Sequence, residues 1–122
     1  QTARQMGLKL AVASSSVGTW VHTHLQKQGL EQYFDVICTR DDVSRVKPDP
    51  ALYLLAAERL GVRPDEAAAL EDSLNGILAA KAAGLRCIAI PNAITAKMDF
   101  TVADIVLPSM KDLSLPTLVG RF

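Results

Sequence analysis

Hydrophobic positions along this chain fall into two alternating rhythms. Short apolar runs occupy residues 8–13, 35–39, 67–70, 86–90 and 105–107. Unbroken runs of this kind suit parallel strands covered on both faces. Helical spacing fills the intervals between them. Val17, Trp20, Val21 and Leu25 share one helical face, and Tyr53, Ala56, Ala57 and Leu60 share another. A third helix is predicted from Ser73, a natural N-cap, to Ala83. Four glycine–apolar pairs, Gly7-Leu8, Gly29-Leu30, Gly61-Val62 and Gly84-Leu85, read as helix stops with an apolar residue behind each glycine. Pro91 halts the strand at 86–90, and a weak last helix is predicted over 110–118. Strands alternating with helices predict an α/β fold, a parallel sheet with helices on both faces.

Composition narrows the class further. The 122 residues are 49% hydrophobic and 5% aromatic, which suits one aliphatic core. A complete fold of this size buries roughly two thirds of its unfolded surface. Thirteen basic residues balance thirteen acidic ones, so no net field draws the chain to nucleic acid or an anionic membrane. No apolar run reaches a membrane-spanning length and no leader is visible, so a cytoplasmic protein is expected. Cys38 and Cys87 lie in apolar runs outside any CxxC spacing. They are expected to be small buried hydrophobes in a reducing compartment, and pairing between them stays open. Because the chain begins at Gln1, it is expected to be an internal or trimmed piece of something longer.

Three turns carry candidate chemistry, and each follows a predicted strand. Ser14, Ser15 and Ser16 supply hydroxyls where a strand gives way to a helix N-terminus, a place suited to phosphate. The plainer reading is that Ser16 caps the helix. Lys47 closes a loop of about ten residues, longer than the two to six usual between strand and helix. Pro48 disfavours helical geometry at Lys47, Asp49 can cap, and Pro50 suits a first helical position. Lys47 offers a compact cation for phosphoryl oxygens or a nearby carboxylate, or else is a solvated loop lysine. Glu71 and Asp72 are adjacent carboxylates at a strand's carboxyl end, where open α/β sheets bind ligands. Their repulsion is eased by a hard cation such as Mg2+, and acids near a helix start are also stabilising without a ligand. Taken jointly, the turns supply oxyanion donors, a cation and a metal ligand, the needs of phosphoryl transfer.

In these motifs, Ala13-Ser14-Ser15-Ser16, Val46-Lys47-Pro48-Asp49-Pro50 and Leu70-Glu71-Asp72-Ser73 with Gly76, Ala79-Ala80 and Ala83-Gly84, the chain resembles the haloacid dehalogenase superfamily. They match its second, third and fourth motifs, and the nearest branch is the β-phosphoglucomutase-like phosphatases and mutases. The resemblance extends to Ile90-Pro91-Asn92 and Ala103-Asp104-Ile105-Val106. It implies a three-layer Rossmann-like core and a Mg2+-dependent enzyme acting on small phosphorylated metabolites, often sugar phosphates, through an aspartyl-phosphate. By position, Ser14 would donate to the transferring phosphoryl group with Ser15 and the neighbouring backbone assisting. Lys47 would pair with nucleophile and phosphoryl charge, and Asp72 with Glu71 would hold Mg2+ directly or through water. Several relatives place Asn or Lys just after the serine turn, where this chain has Val17 and Gly18.

The superfamily's first motif, an Asp-x-Asp strand bearing the nucleophile, is not among these residues, nor is the helical cap that selects substrate. Residues 1–122 are therefore expected to be a partial core, with motifs two to four only. The missing strand would lie centrally, between those carrying Ser14 and Glu71. Its absence would leave unpaired backbone groups on both sides. The chain alone is expected to be inactive and not to fold as a native monomer. The expected partner is the missing N-terminal segment or a strand donated by another chain.

Other residues have simpler readings. Asp41-Asp42 lacks the Asp-x-Asp spacing and reads as a surface or capping pair. His22 and His24 point to different sides of a helix, and Trp20 reads as core. Arg40 and Arg45 read as solvated, with substrate phosphate as the alternative. A non-catalytic phosphate-binding or interaction module derived from such an enzyme is the competing function. A receiver-type signalling domain has its acids first and its hydroxyl later, the reverse of the order here.

Overall fold

The computed structural model describes residues 2–90 and 102–107. A short helix α1, Thr2–Gln5, precedes strand β1, Ala11–Ala13, and helix α2, Gly18–Lys27. Strand β2, Val36–Cys38, runs parallel to β1 with Ala11 opposite Val36 and Ala13 opposite Cys38. Helix α3, Ala51–Leu60, leads to a second βαβ unit built from β3, Ala68–Glu71, α4, Leu74–Ala83, and β4, Arg86–Ala89. There Ala68 lies opposite Arg86 and Glu71 opposite Ala89, and β5, Ile105–Val106, adds a parallel neighbour to β4. Parallel partners require a crossover, which α2 and α4 supply.

The strands form two sheets, β1-β2 and β3-β4-β5, and among the described residues no ladder joins them. Leu10 accepts from the Val36 N–H and Ser14 donates to the Cys38 carbonyl, so every second residue of this segment faces β2. Ala11 and Ala13 consequently direct their backbone groups the other way. In β3, Ala67 accepts from Arg86 and Glu71 from Ile90, which turns Ala68 and Leu70 away from β4. Each half thus ends in an edge facing away from its own partner strand. Helix α3 packs against β1, β2 and α4, and so spans both halves.

Helix stops follow the glycine–apolar pattern. Gly7, Gly29, Gly61 and Gly84 all have positive φ. At Gly84 (φ 91°) the Leu85 N–H returns to the Ala80 carbonyl, the six-to-one bond of a Schellman stop. At the start of α4, Ser73 Oγ accepts from the Gly76 N–H, and at α3 Asp49 Oδ1 accepts from the Ala51 N–H. One core cluster joins Tyr53, Ala69, Ile77, Ala79, Ala80 and Cys87. Another joins Cys38, Leu52 and Ala56, and Ala13 packs on both. Cys38 and Cys87 are free, buried thiols.

Four expectations change in detail. Strand β1 begins at Ala11 rather than residue 8. Strand β3 alternates, with Ala69 and Glu71 buried and Ala68 and Leu70 exposed, so its apolar run does not mean burial on both faces. Trp20 is not core. The residue is 57% exposed and its ring stacks on His24 at 5.0 Å, while Val21 and Leu25 alone are the buried residues of α2. The long loop holds a 3-10 turn, Arg40–Asp42. The predicted helix over 110–118 and the turn at Pro91-Asn92 lie outside the described residues. Among the described residues no helix is long and apolar enough to cross a membrane.

Candidate functional site

The carboxyl ends of β1 and β3 meet through one side chain. Lys47 sits in the turn before α3, with a cis peptide to Pro48. Its Nζ donates to the Ala13 carbonyl at 2.8 Å and to Glu71 Oε1 at 2.5 Å. It also lies 3.4 Å from the Tyr53 hydroxyl and 4.7 Å from that ring's centroid. The Tyr53 O–H donates to the same Glu71 oxygen. Glu71 is 8% exposed, and a carboxylate that dry is tolerable only when paired and hydrogen-bonded.

The two acids divide as strand alternation requires, because successive side chains point to opposite faces. Glu71 turns inward and Asp72 is exposed. The cation that offsets charge at Glu71 is the Lys47 ammonium. Among the described residues no group of three or more His, Cys, Asp or Glu side chains is placed to hold a metal ion. Glu71 Oε2 faces Gly76, where an added Cβ would lie 2.0 Å away, so α4 approaches the carboxylate through a glycine.

Ser14 follows directly on the carbonyl that Lys47 holds, and so stands at the carboxyl end of β1 next to that contact. Its Oγ accepts from the Ser16 N–H at 3.1 Å. The N-cap of α2 is Val17 rather than Ser16, without a side-chain cap of its own. Asp41 supplies that function from the neighbouring loop, its Oδ2 accepting from the Gly18 N–H at 2.7 Å. Arg40 donates its N–H to the Ser16 carbonyl at 3.1 Å, so the β2 loop and the serine turn are tied together. Asp42 accepts from the Thr39 N–H at 2.8 Å. That bond, then the Arg59 charge, outweighs burial and holds the Asp42 carboxyl below the usual range. Asp41-Asp42 is therefore a capping pair, as its spacing implied.

Burial, followed by the Glu71 charge and hydrogen bond, pushes the Tyr53 phenol far above its ordinary range. The hydroxyl stays protonated and can only donate to Glu71. Burial and then the Glu71 charge push the Cys87 thiol up to about 12, so it stays an inert thiol. Of the residues singled out by their spacing, the structure brings Lys47 and Glu71 into contact, with Ser14 following β1 and Asp72 following β3 at the carboxyl ends of those strands. Tyr53 was read only as a buried apolar position. The signal it carried is its hydroxyl, since a tyrosine buried among aliphatic residues needs a partner for that group.

A family model for haloacid dehalogenase-like hydrolases matches residues 1–90. YhcW of Bacillus subtilis (strain 168) is 50% identical over 119 residues, 98% of this chain and 54% of its own length. Hexitol phosphatase B of Escherichia coli (strain K12) is 37% identical, over 96% of this chain and 53% of its own. The crystal structure of CbbY from Rhodobacter sphaeroides in complex with phosphate superposes with a TM-score of 0.87 at 43% identity. It covers 92% of this chain and 51% of that one. The chain spans about half the length of the curated relatives it matches.

Proposed function

The chain belongs to the haloacid dehalogenase-like hydrolases, and from that premise we propose that it carries the phosphate-binding and charge-balancing half of a phosphoryl-transfer site. The intact protein would be a phosphatase or phosphomutase for small phosphorylated metabolites, sugar phosphates foremost. The observation that carries this reading is the Lys47 ammonium held at the carboxyl ends of β1 and β3, beside Ser14 and in contact with Glu71.

Ser14 Oγ accepts from Ser16, which leaves its O–H proton to donate to a phosphoryl oxygen, with Ser15 alongside. The Ser16 and Gly18 N–H groups are taken by Ser14 and Asp41, so anion binding at this turn falls chiefly to the hydroxyls. Lys47 places positive charge where negative charge collects on the transferring group and its acceptor. Glu71 holds Lys47 in position. Asp72, exposed at the strand end, would be one oxygen ligand for Mg2+, with Glu71 acting at most through water. Mg2+ commonly takes one or two carboxylates and leaves the rest of its shell to water and phosphate. When bound, the ion would offset phosphoryl charge.

The attacking carboxylate is not among the three motifs. In this reading it would sit on a strand between β1 and β3, whose unladdered edges, at Ala11 and Ala13 in one half and at Ala68 and Leu70 in the other, would suit a parallel insert. That strand would come from a further segment of the same protein or from a partner chain, and by itself residues 1–122 would be inactive. Asp72→Asn in the protein as its gene encodes it is expected to lower Mg2+-dependent p-nitrophenyl phosphate hydrolysis by about 10²-fold or more. Unchanged turnover refutes the role given to Asp72. Phosphate binding without any turnover by the wild type selects the non-catalytic module instead.

A further inference from the structure

We propose that Tyr53 is a positioning residue for Lys47, acting through the Glu71 oxygen the two share. This rests on the reading of Lys47 as the cation that faces the phosphoryl group. Lysine and glutamate side chains are long and rotamer-rich, and holding both in one geometry costs conformational entropy. Neither would fix the other unaided. The Tyr53 ring is 7% exposed and packs in the cluster formed by Ala69, Ile77, Ala79 and Ala80, so its hydroxyl is a fixed point in the core. From there it donates to Glu71 Oε1, the oxygen that receives Lys47. Gly76 lies against the same carboxylate, since both of its oxygens and its carbon occupy the space a Cβ would need there. Glu71 is thereby confined between phenol and glycine backbone, and Lys47, lying over the ring at 4.7 Å, is confined with it. Tyr53 touches neither substrate nor metal in this scheme. It decides where the ammonium stands when a phosphoryl group arrives.

Tyr53→Phe keeps the ring and removes the hydroxyl. It is tested in the protein as its gene encodes it, beside Ile77→Val, which softens the same cluster without touching the hydroxyl. Trace acetic anhydride labelling, read by mass spectrometry at Lys47 against exposed Lys27, reports how firmly the ammonium is held. Labelling of Lys47 is expected to rise several-fold in Tyr53→Phe and to stay at the wild-type level in Ile77→Val. The kcat for p-nitrophenyl phosphate is expected to fall about tenfold with KM within about twofold, the pattern of a misplaced catalytic group. Equal Lys47 labelling in wild type and Tyr53→Phe overturns the proposal, as does an equal rise in both variants. If the wild type does not hydrolyse the ester, the phosphatase reading fails, and the labelling comparison still decides the role of Tyr53.

Discussion

Gly76 shows how one position can reverse a general rule. In an exposed helix, replacing glycine by alanine stabilises by about 1 kcal/mol. Here the added Cβ would lie 2.0 Å from Glu71 Oε2, and that carboxylate cannot swing aside without leaving Lys47 and Tyr53. Gly76→Ala is therefore expected to destabilise by about 1–3 kcal/mol, the usual cost of overpacking. Urea denaturation of the protein as its gene encodes it checks this, and a gain in midpoint would show the carboxylate to be loosely held. At this scale the sequence made residue types legible but not their partners. Lys47 was open to phosphoryl, carboxylate or solvent, and its 2.5 Å contact with Glu71 removes the solvated reading. Asp41 was legible as a cap, whereas its target, Gly18, lies 23 residues away and only the fold brings the two together.

At the scale of elements, helices were legible because caps and stops are local chemistry: Ser73 accepts from Gly76, and the glycine stops fall where expected. Strands were less legible, since one apolar run is compatible with burial on one face or two. Strand β5 illustrates how a two-residue strand is secured. The preceding Asp104 receives Lys81 Nζ at 2.9 and 3.1 Å and the Cys87 N–H at 2.7 Å, tying it to both α4 and β4. Burial alone would raise the Asp104 carboxyl, but the Lys81 hydrogen bond and the Cys87 N–H outweigh it and hold it below the ordinary range. A depressed folded value means stability that is complete above the unfolded value of about 3.9 and is lost as pH falls through the folded one. In the protein as its gene encodes it, Asp104→Asn is thus expected to lower the melting temperature near neutrality and to flatten its decline in acid. Parallel Tm–pH curves for variant and wild type would show that the contact contributes nothing.

For the molecule as a whole, the two half-sheets set the behaviour. Among the described residues, Ala11 and Ala13 on one side and Ala68 and Leu70 on the other direct backbone groups to edges that no ladder occupies. Open edges invite pairing with another chain. Leu70, 47% exposed on β3, adds apolar surface there. Residues 1–122 expressed alone are expected to elute from size-exclusion chromatography as associated or expanded species without a cooperative melt by circular dichroism. A compact monomer with a sharp transition would count against this.

Within the described residues, the order of strands and helices, the glycine stops and the three turns that carry hydroxyls, ammonium and acids were legible before any fold was seen. Each of these depends on residues within a few positions of one another: caps, glycine stops and apolar runs. Tertiary structure alone decided that Glu71 turns inward to Lys47 while Asp72 stays exposed, and that Tyr53 joins the pair. It also decided that Trp20 faces outward and that β1 and β3 turn unladdered edges away from their partners. Those outcomes depend on which face of a strand meets a helix and on contacts between residues far apart in the chain, and local pattern carries no record of either.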